Sequence, residues 1–150
     1  MPKFRSLAIL GPTASGKSSL AIKIAKKING EIIGLDSRQS YRFFEIGTAQ
    51  PSKEQLKEIN HYMIGCFDPY RGINAGENSK LTKKYIEEIS YKGKVPIVCG
   101  GSGLYYRALK KGIFDQSSTN NTIRDRLDKE YQENGSNELI KRLKKIDPKY

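Results

Sequence analysis

Apolar and polar positions follow two rhythms along this chain, and the switches between them mark its elements. Residues 5–10 (RSLAIL) form a short apolar run, expected as a buried strand. From 17 to 29 the apolar residues fall at Leu20, Ile24, Ala25 and Ile28, which is helical spacing, and Asn29-Gly30 is a stop signal. Residues 31–35 (EIIGL) read as a second strand, followed by a polar stretch and a loop over 46–51. Ser52-Lys53-Glu54-Gln55 fits a capping box that opens a short helix through Ile59. Residues 61–67 (HYMIGCF) read as a third strand and 68–76 as turns. A helix over 78–91 shows Leu81, Tyr85, Ile86 and Ile89 on its apolar face and is closed by Gly93. Residues 95–99 (VPIVC) are the next strand, and a helix follows from Leu104 to Lys111. Strand, helix and strand in succession predict an α/β fold with a parallel sheet flanked by helices.

The character changes near residue 115. Residues 115–122 are polar linker, and 123–134 and 137–146 read as two charged amphipathic helices. Their apolar positions are Ile123, Leu127 and Tyr131, then Leu139, Ile140, Leu143 and Ile146. Asn134-Gly135-Ser136 is the turn between them, and Asp147-Pro148 ends the second. The expected organisation is an α/β body over 1–114 and the start of a helical appendage over 115–150.

Composition narrows the class. The chain has 150 residues, 37% hydrophobic and 29% charged, as expected of a globular protein with a polar surface. Its formal net charge of +11 favours an anionic partner, nucleic acid first, although lysines on solvated helix faces give the same sum. Cys66 and Cys99 lie far apart and belong to no metal-ligand pattern, so both are expected as small buried hydrophobes in a reducing compartment. The start, MPKFRSLAIL, reads as a first strand rather than a signal peptide. No stretch has the apolar length of a membrane span, and the expected location is the cytoplasm.

The candidate chemistry begins at Gly11–Ser18, GPTASGKS, which fits the phosphate-loop pattern with Gly11, Gly16, Lys17 and Ser18 at the required spacing. Glycines let the backbone curl its N–H groups inward, and the helix that starts near Lys17 adds its positive dipole end. Lys17 brings a full charge to a terminal phosphate, and the Ser18 hydroxyl can hold Mg²⁺. Asp36 follows the second strand, and ligands of open α/β sheets gather at carboxyl strand ends, so Asp36 and the loop should share one crevice. Gly100-Gly101-Ser102-Gly103 is a second glycine-rich turn between strand and helix, able to approach a ligand closely.

Three stretches together resemble one family. They are GPTASGKS, then DSRQSYRFFEIGTAQPS (36–52), then VCGGSGLYYRALKKG (98–112). The sequence is similar to the N-terminal half of the tRNA dimethylallyltransferases, which prenylate N6 of adenosine 37 beside the anticodon. The similarity continues through Asn60-His61, TIRDRL (122–127) and KKIDPKY, and so covers essentially the whole chain.

The resemblance implies a P-loop NTPase-like sheet with a partial helical tRNA-binding insertion. It implies that Gly11, Thr13, Ala14, Ser15, Gly16, Lys17 and Ser18 grip the diphosphate of dimethylallyl diphosphate rather than ATP, with Mg²⁺ near Ser18. Lys17 would neutralise the leaving diphosphate. Asp36 would orient N6 and take its proton, while Ser37, Arg38 and Gln39 would contact the target nucleotides. Ser102 stands where the family usually has Thr, and its hydroxyl would bond near N6 or the phosphate. Arg124 matches a basic residue that contacts tRNA. The implied partners are dimethylallyl diphosphate and the tRNA anticodon stem-loop, for a monomer without membrane attachment. The adenine would have to flip out of its stack.

Each residue also has a plainer reading. Asp36 also reads as a ligand of metal-bound water or as a helix N-cap; Arg38 and Gln39 as caps or braces of the loop; Arg124 as a solvated helix charge. Tyr41, Tyr105 and Tyr106 either stack on a base or pack on the sheet, His61 reads as structural, and Thr48 as a possible nucleotide contact. The sequence departs from the family pattern at Ser102, at Gln50 in place of a common Lys, and at Phe43-Phe44 in place of Gly and an apolar residue. Family members run to about twice this length. The chain as given is therefore expected to be a truncated form that binds a phosphate ligand weakly and transfers little. A small P-loop kinase is one alternative, although the fourth strand's IVCGG lacks the acidic residue expected to hold its metal. An adenylate isopentenyltransferase and a non-catalytic RNA-binding remnant are the others.

Overall fold

Glu31 apart, both inner strands are apolar because both of their faces are covered. In a computed structural model, which describes residues 5–112 and 120–149, four strands form one parallel sheet. They are β1 (Leu7–Leu10), β2 (Gly30–Gly34), β3 (His61–Tyr62) and β4 (Val95–Gly100), in the order β1-β4-β2-β3. β2 pairs with β4 from Gly30 opposite Val95 to Gly34 opposite Cys99, and β1 pairs with β4 from Leu7 opposite Ile97 to Leu10 opposite Gly100.

The period of two along these strands sorts the side chains. Ile32, Ile97 and Cys99 pack on Ala21, Ile22 and Ala25 of helix α1 (Lys17–Ile28). Ile33, Leu35 and Val98 face the other way, onto Ile89 of α3 (Ala75–Tyr91) and Tyr105 and Ala108 of α4 (Gly103–Lys111). Each fully buried Ile, Leu or Val contributes roughly 1.5–3 kcal/mol. The short helix α2 (Lys53–Glu58) opens with the expected capping box, Ser52 against Gln55.

The structure departs from the sequence reading in four places. β1 is not buried: among the described residues it pairs with β4 alone, and Leu7 and Leu10 are exposed. β3 is two residues long rather than seven, because Met63 (φ 63°) and Gly65 (φ 54°) leave the extended region. The chain beyond it instead bonds to the segment after β2, through Gly65 N–H to Gln39 O and Cys66 N–H to Ser40 O. α3 begins three residues early, since Asn74 and Glu77 form a second capping box and Gly76 sits in the first turn. Cys99 is buried as expected, but Cys66 is exposed.

At the amino end of β2 the Glu31 side chain is almost fully buried. It accepts hydrogen bonds from Lys94 (2.6 Å), Tyr62 (2.7 Å) and Asn60 (2.8 Å), with Lys92 at 3.7 Å. Burial works against its charge, but these partners outweigh it and hold the carboxyl at about 2.

The chain divides into two compact units, Met1–Phe114 and Asp115–Tyr150. In the second, α5 (Asn121–Asn134) and α6 (Ser136–Ile146) meet at Gly135, whose φ of 70° closes one helix and starts the next. Asn120 caps α5, and Arg142 pairs with Glu130 across the two helices at 3.1 Å. Residues 115–119 of the expected linker, the basic start and Tyr150 lie outside the described residues. Among the described residues no helix is long and apolar enough to cross a membrane.

Candidate active-site crevice

The carboxyl ends of β1, β2 and β4 each run into a turn, and the three turns enclose a crevice of about 830 Å³. The first is the phosphate loop. Ala14 (φ 63°) and Gly16 (φ 79°) both take the left-handed conformation, which curls the chain into the start of α1. The first turn of α1 carries no acidic residue, so no charge of its own offsets its positive end. The Ser15 hydroxyl and the Lys17 ammonium each donate to the Pro12 carbonyl at 2.8 Å. Thr13, Ala14, Ser15, Gly16, Lys17 and Ser18 all line the crevice. Gly11 does not; it donates its N–H to Gly100 O and ties the loop to β4.

The second turn holds Asp36. Its Oδ1 accepts the N–H groups of Arg38 (2.8 Å) and Gln39 (3.3 Å), the geometry of an Asx cap. Oδ2 has no hydrogen-bond partner among the described residues. Ser37, Arg38 and Gln39 line the crevice with Asp36. The Gln39 amide is occupied within the loop, donating to Thr48 O (3.2 Å) and Ala49 O (2.7 Å). The Arg38 guanidinium has no such engagement among the described residues.

The third turn is the glycine pair after β4. A Cβ on Gly100 would collide with the Leu35 carbonyl, so only glycine lets β2 and β4 end this close together. A Cβ on Gly101 would stand 3.2 Å from Gly11 O, 3.7 Å from Asp36 Oδ2 and 4.0 Å from Lys17 Cε. Phosphate loop, carboxylate and lysine thus converge on one point. Ser102 lines the crevice and caps α4 by accepting the Tyr105 N–H, which leaves its hydroxyl proton available. Beneath the site, burial pushes the Cys99 thiol up. The Lys17 charge opposes that shift and the Asp36 charge adds to it, so the thiol stays protonated under the crevice floor.

The sequence reading did not include Pro12, Ser19, Gly47 and Ala49, which also line the crevice, whereas Gly101 lies there as its glycine-rich turn suggested. Gly47, Thr48 and Ala49 reach it through a long-range clamp: Gln39 Nε2 donates to the Thr48 and Ala49 carbonyls, and Gln50 Nε2 donates to Gln39 O (2.8 Å) and Tyr41 O (2.7 Å). Only the Ile-Gly-Thr-Ala run hinted at it. Tyr41 and Tyr105 are packing residues, their hydroxyls bonded to the Ile73 N–H and carbonyl. His61 is structural, with Nδ1 2.7 Å from Ile59 O and its basicity lowered by burial. Arg124 lies on α5 of the second unit and is not among the crevice-lining residues.

Sheet order, phosphate loop and crevice place the molecule among the α/β proteins of the phosphate-loop type. Comparison with known proteins narrows this. The family model of IPP transferases matches residues 39–150. A tRNA dimethylallyltransferase of Acetivibrio thermocellus is 46% identical over 95% of this chain and 46% of its own length. Another, from Pelobacter propionicus, is 42% identical over 96% and 47%. Among solved structures, a tRNA isopentenylpyrophosphate transferase of Bacillus halodurans superposes with a TM-score of 0.72 at 34% identity, over 98% of this chain and 49% of that one. A eukaryotic dimethylallyltransferase acting on tRNA superposes with a TM-score of 0.82 at 30% identity, over 98% and 37%. The chain belongs to the IPP transferase family, and it spans about half the length of the curated relatives it matches.

Proposed function

We propose that this chain carries the donor and acceptor sites of a tRNA dimethylallyltransferase. The observation that supports this best is the convergence of Gly11, Lys17 and Asp36 around Gly101. A cationic anion cradle and a carboxylate with one unengaged oxygen meet at one place, which suits a transfer between a diphosphate and an amine.

In this reading the phosphate loop holds dimethylallyl diphosphate. N6 of adenosine 37 attacks the allylic carbon, forming the C–N bond. The bond from that carbon to diphosphate oxygen breaks, and its electron pair leaves with the diphosphate. Lys17 and the N–H groups at the start of α1 stabilise the charge that develops there. Asp36 Oδ2 accepts the N6 proton, and Oδ1 keeps the carboxylate fixed through Arg38 and Gln39. The Ser102 hydroxyl donates to the diphosphate or to the adenine. Ser37, Arg38 and Gln39 touch the nucleotides, and Arg124 contacts tRNA from a helical unit that begins near residue 115.

Mg²⁺ fits the residues present. Among the described residues no three potential acidic, His or Cys ligands cluster, whereas Ser18 offers a hard oxygen beside the phosphate loop. That suits an ion that takes most of its ligands from diphosphate and water. When bound it would supply positive charge to the leaving group. The molecule is proposed to work as a cytoplasmic monomer.

The test is a binding comparison on the purified chain with dimethylallyl diphosphate, ATP and an anticodon stem-loop bearing adenosines 36 and 37. The prenyl diphosphate should bind in preference to ATP, and the stem-loop should bind alongside it. A preference for ATP would overturn the reading in favour of a kinase.

A further inference from the structure

The loop that walls the crevice carries three apolar side chains that packing does not explain. Phe43 is 78% exposed, Phe44 49% and Ile46 97%. Phe43 also holds a φ of +69°, a region that bulky side chains adopt only against a steric cost. Neither burial nor backbone preference accounts for a phenylalanine there.

The loop is nevertheless braced. The Thr48 N–H and hydroxyl both bond to Phe44 O, at 3.1 and 2.7 Å. Ala49 N–H bonds to Ile46 O, Gln50 N–H to Glu45 O, and the Arg42 guanidinium to Cys66 O at 3.2 Å. The aromatic turn is therefore hydrogen-bonded to Thr48 and Ala49, which line the crevice. The tyrosines of the neighbourhood are taken up by packing, Tyr41 and Tyr105 through Ile73. Arg38 adds a cation to the crevice wall opposite the Asp36 carboxylate, Glu45 is the one acid within the 43–46 turn, and the chain as a whole carries +11. Exposed rings on a held backbone, joined to a basic crevice, are the physical form of a site for unstacked bases.

We propose that Phe43 and Phe44 are a stacking platform for an unpaired base of single-stranded RNA, the neighbour of the base that enters the crevice. This rests on the transferase reading and adds to it the residues that hold the strand beside the target.

The experiment measures fluorescence anisotropy of a labelled RNA hairpin with an unpaired loop, and of a fully paired duplex of equal charge. The proteins are the unaltered chain, F43G and F44A. Each substitution should weaken hairpin binding about tenfold and leave duplex binding unchanged. F43G should not lower the melting temperature, because glycine accepts the positive φ. Base-analogue fluorescence in the hairpin loop should be quenched by the unaltered chain and recover with F43G. Hairpin affinity equal to that of the unaltered chain, a parallel loss for hairpin and duplex, or no hairpin binding by the unaltered chain would each overturn the platform. Titration with dimethylallyl diphosphate separates the two ideas. RNA held through Phe43 without prenyl diphosphate binding would sink the transferase reading alone, and the converse would sink the platform alone.

Discussion

Asp36 divides its two oxygens between two tasks. Oδ1 holds the turn by accepting two backbone N–H groups, and Oδ2 stands next to Gly101 without a hydrogen-bond partner among the described residues. The cap reading and the base reading of this residue are therefore compatible rather than rival. Asp36→Asn should keep the cap, since an amide oxygen accepts the same bonds, and should remove the proton acceptor. In a chain that transfers, the rate should drop by roughly 10²–10⁴-fold while diphosphate affinity stays constant. Transfer assays with parallel diphosphate titration read both, and weakened diphosphate binding would reassign Asp36 to the metal. The type and place of this residue were legible from its position after an apolar strand. The division of labour was not, because it depends on where two backbone N–H groups point. Gln39 shows the same limit from the other side: its type suited nucleotide contact, and the fold uses its amide to clamp a loop ten residues away.

At the scale of elements, local rules were legible wherever the signal was local. The Ser52–Gln55 box, the Asn29-Gly30 stop and the helical spacing of α1 all correspond to what forms. The misreadings came from competition between neighbours. A turn-rich composition over 68–76 hid the Asn74–Glu77 box, in which a glycine is tolerated inside the first turn. The apolar run HYMIGCF looked like one strand, and two positive-φ residues cut it short. Asn74→Ala should destabilise the body by about 1 kcal/mol, read from the urea midpoint at constant slope. A neutral result would mean that α3 is held by packing alone. Gly100 belongs at this scale too. Its requirement comes from the Leu35 carbonyl on another strand, which no local pattern announces.

For the whole molecule, the charge excess is the property the sequence states most openly and the fold uses most selectively. Two lysines reach from the surface to Glu31, the one buried acid among the described residues. Its carboxyl is held at about 2 against an ordinary 4.5. A depressed carboxylate stabilises the folded state above its unfolded value and loses that contribution as pH falls through the folded one. Stability should thus decline between pH 4.5 and about 2, by a total on the order of 3 kcal/mol from this group. Glu31→Gln should be less stable at neutral pH and show a flatter acid limb in pH-dependent melting. An unchanged acid limb would assign the decline to other carboxylates. Composition changes near residue 115, where the chain divides into two units, because a charged helical pair and an apolar sheet need different residues.

β2 carries an acidic residue near each end, Glu31 within its first residues and Asp36 just past its last. Extended chain sets them about 16 Å apart. Groups farther apart than about 7–10 Å usually contribute additively. One acid can then be altered for robustness and the other for reactivity, with little interference. Anyone seeking a hardier version of this protein should search the amino end of the strand, and anyone seeking a new acceptor should search the other.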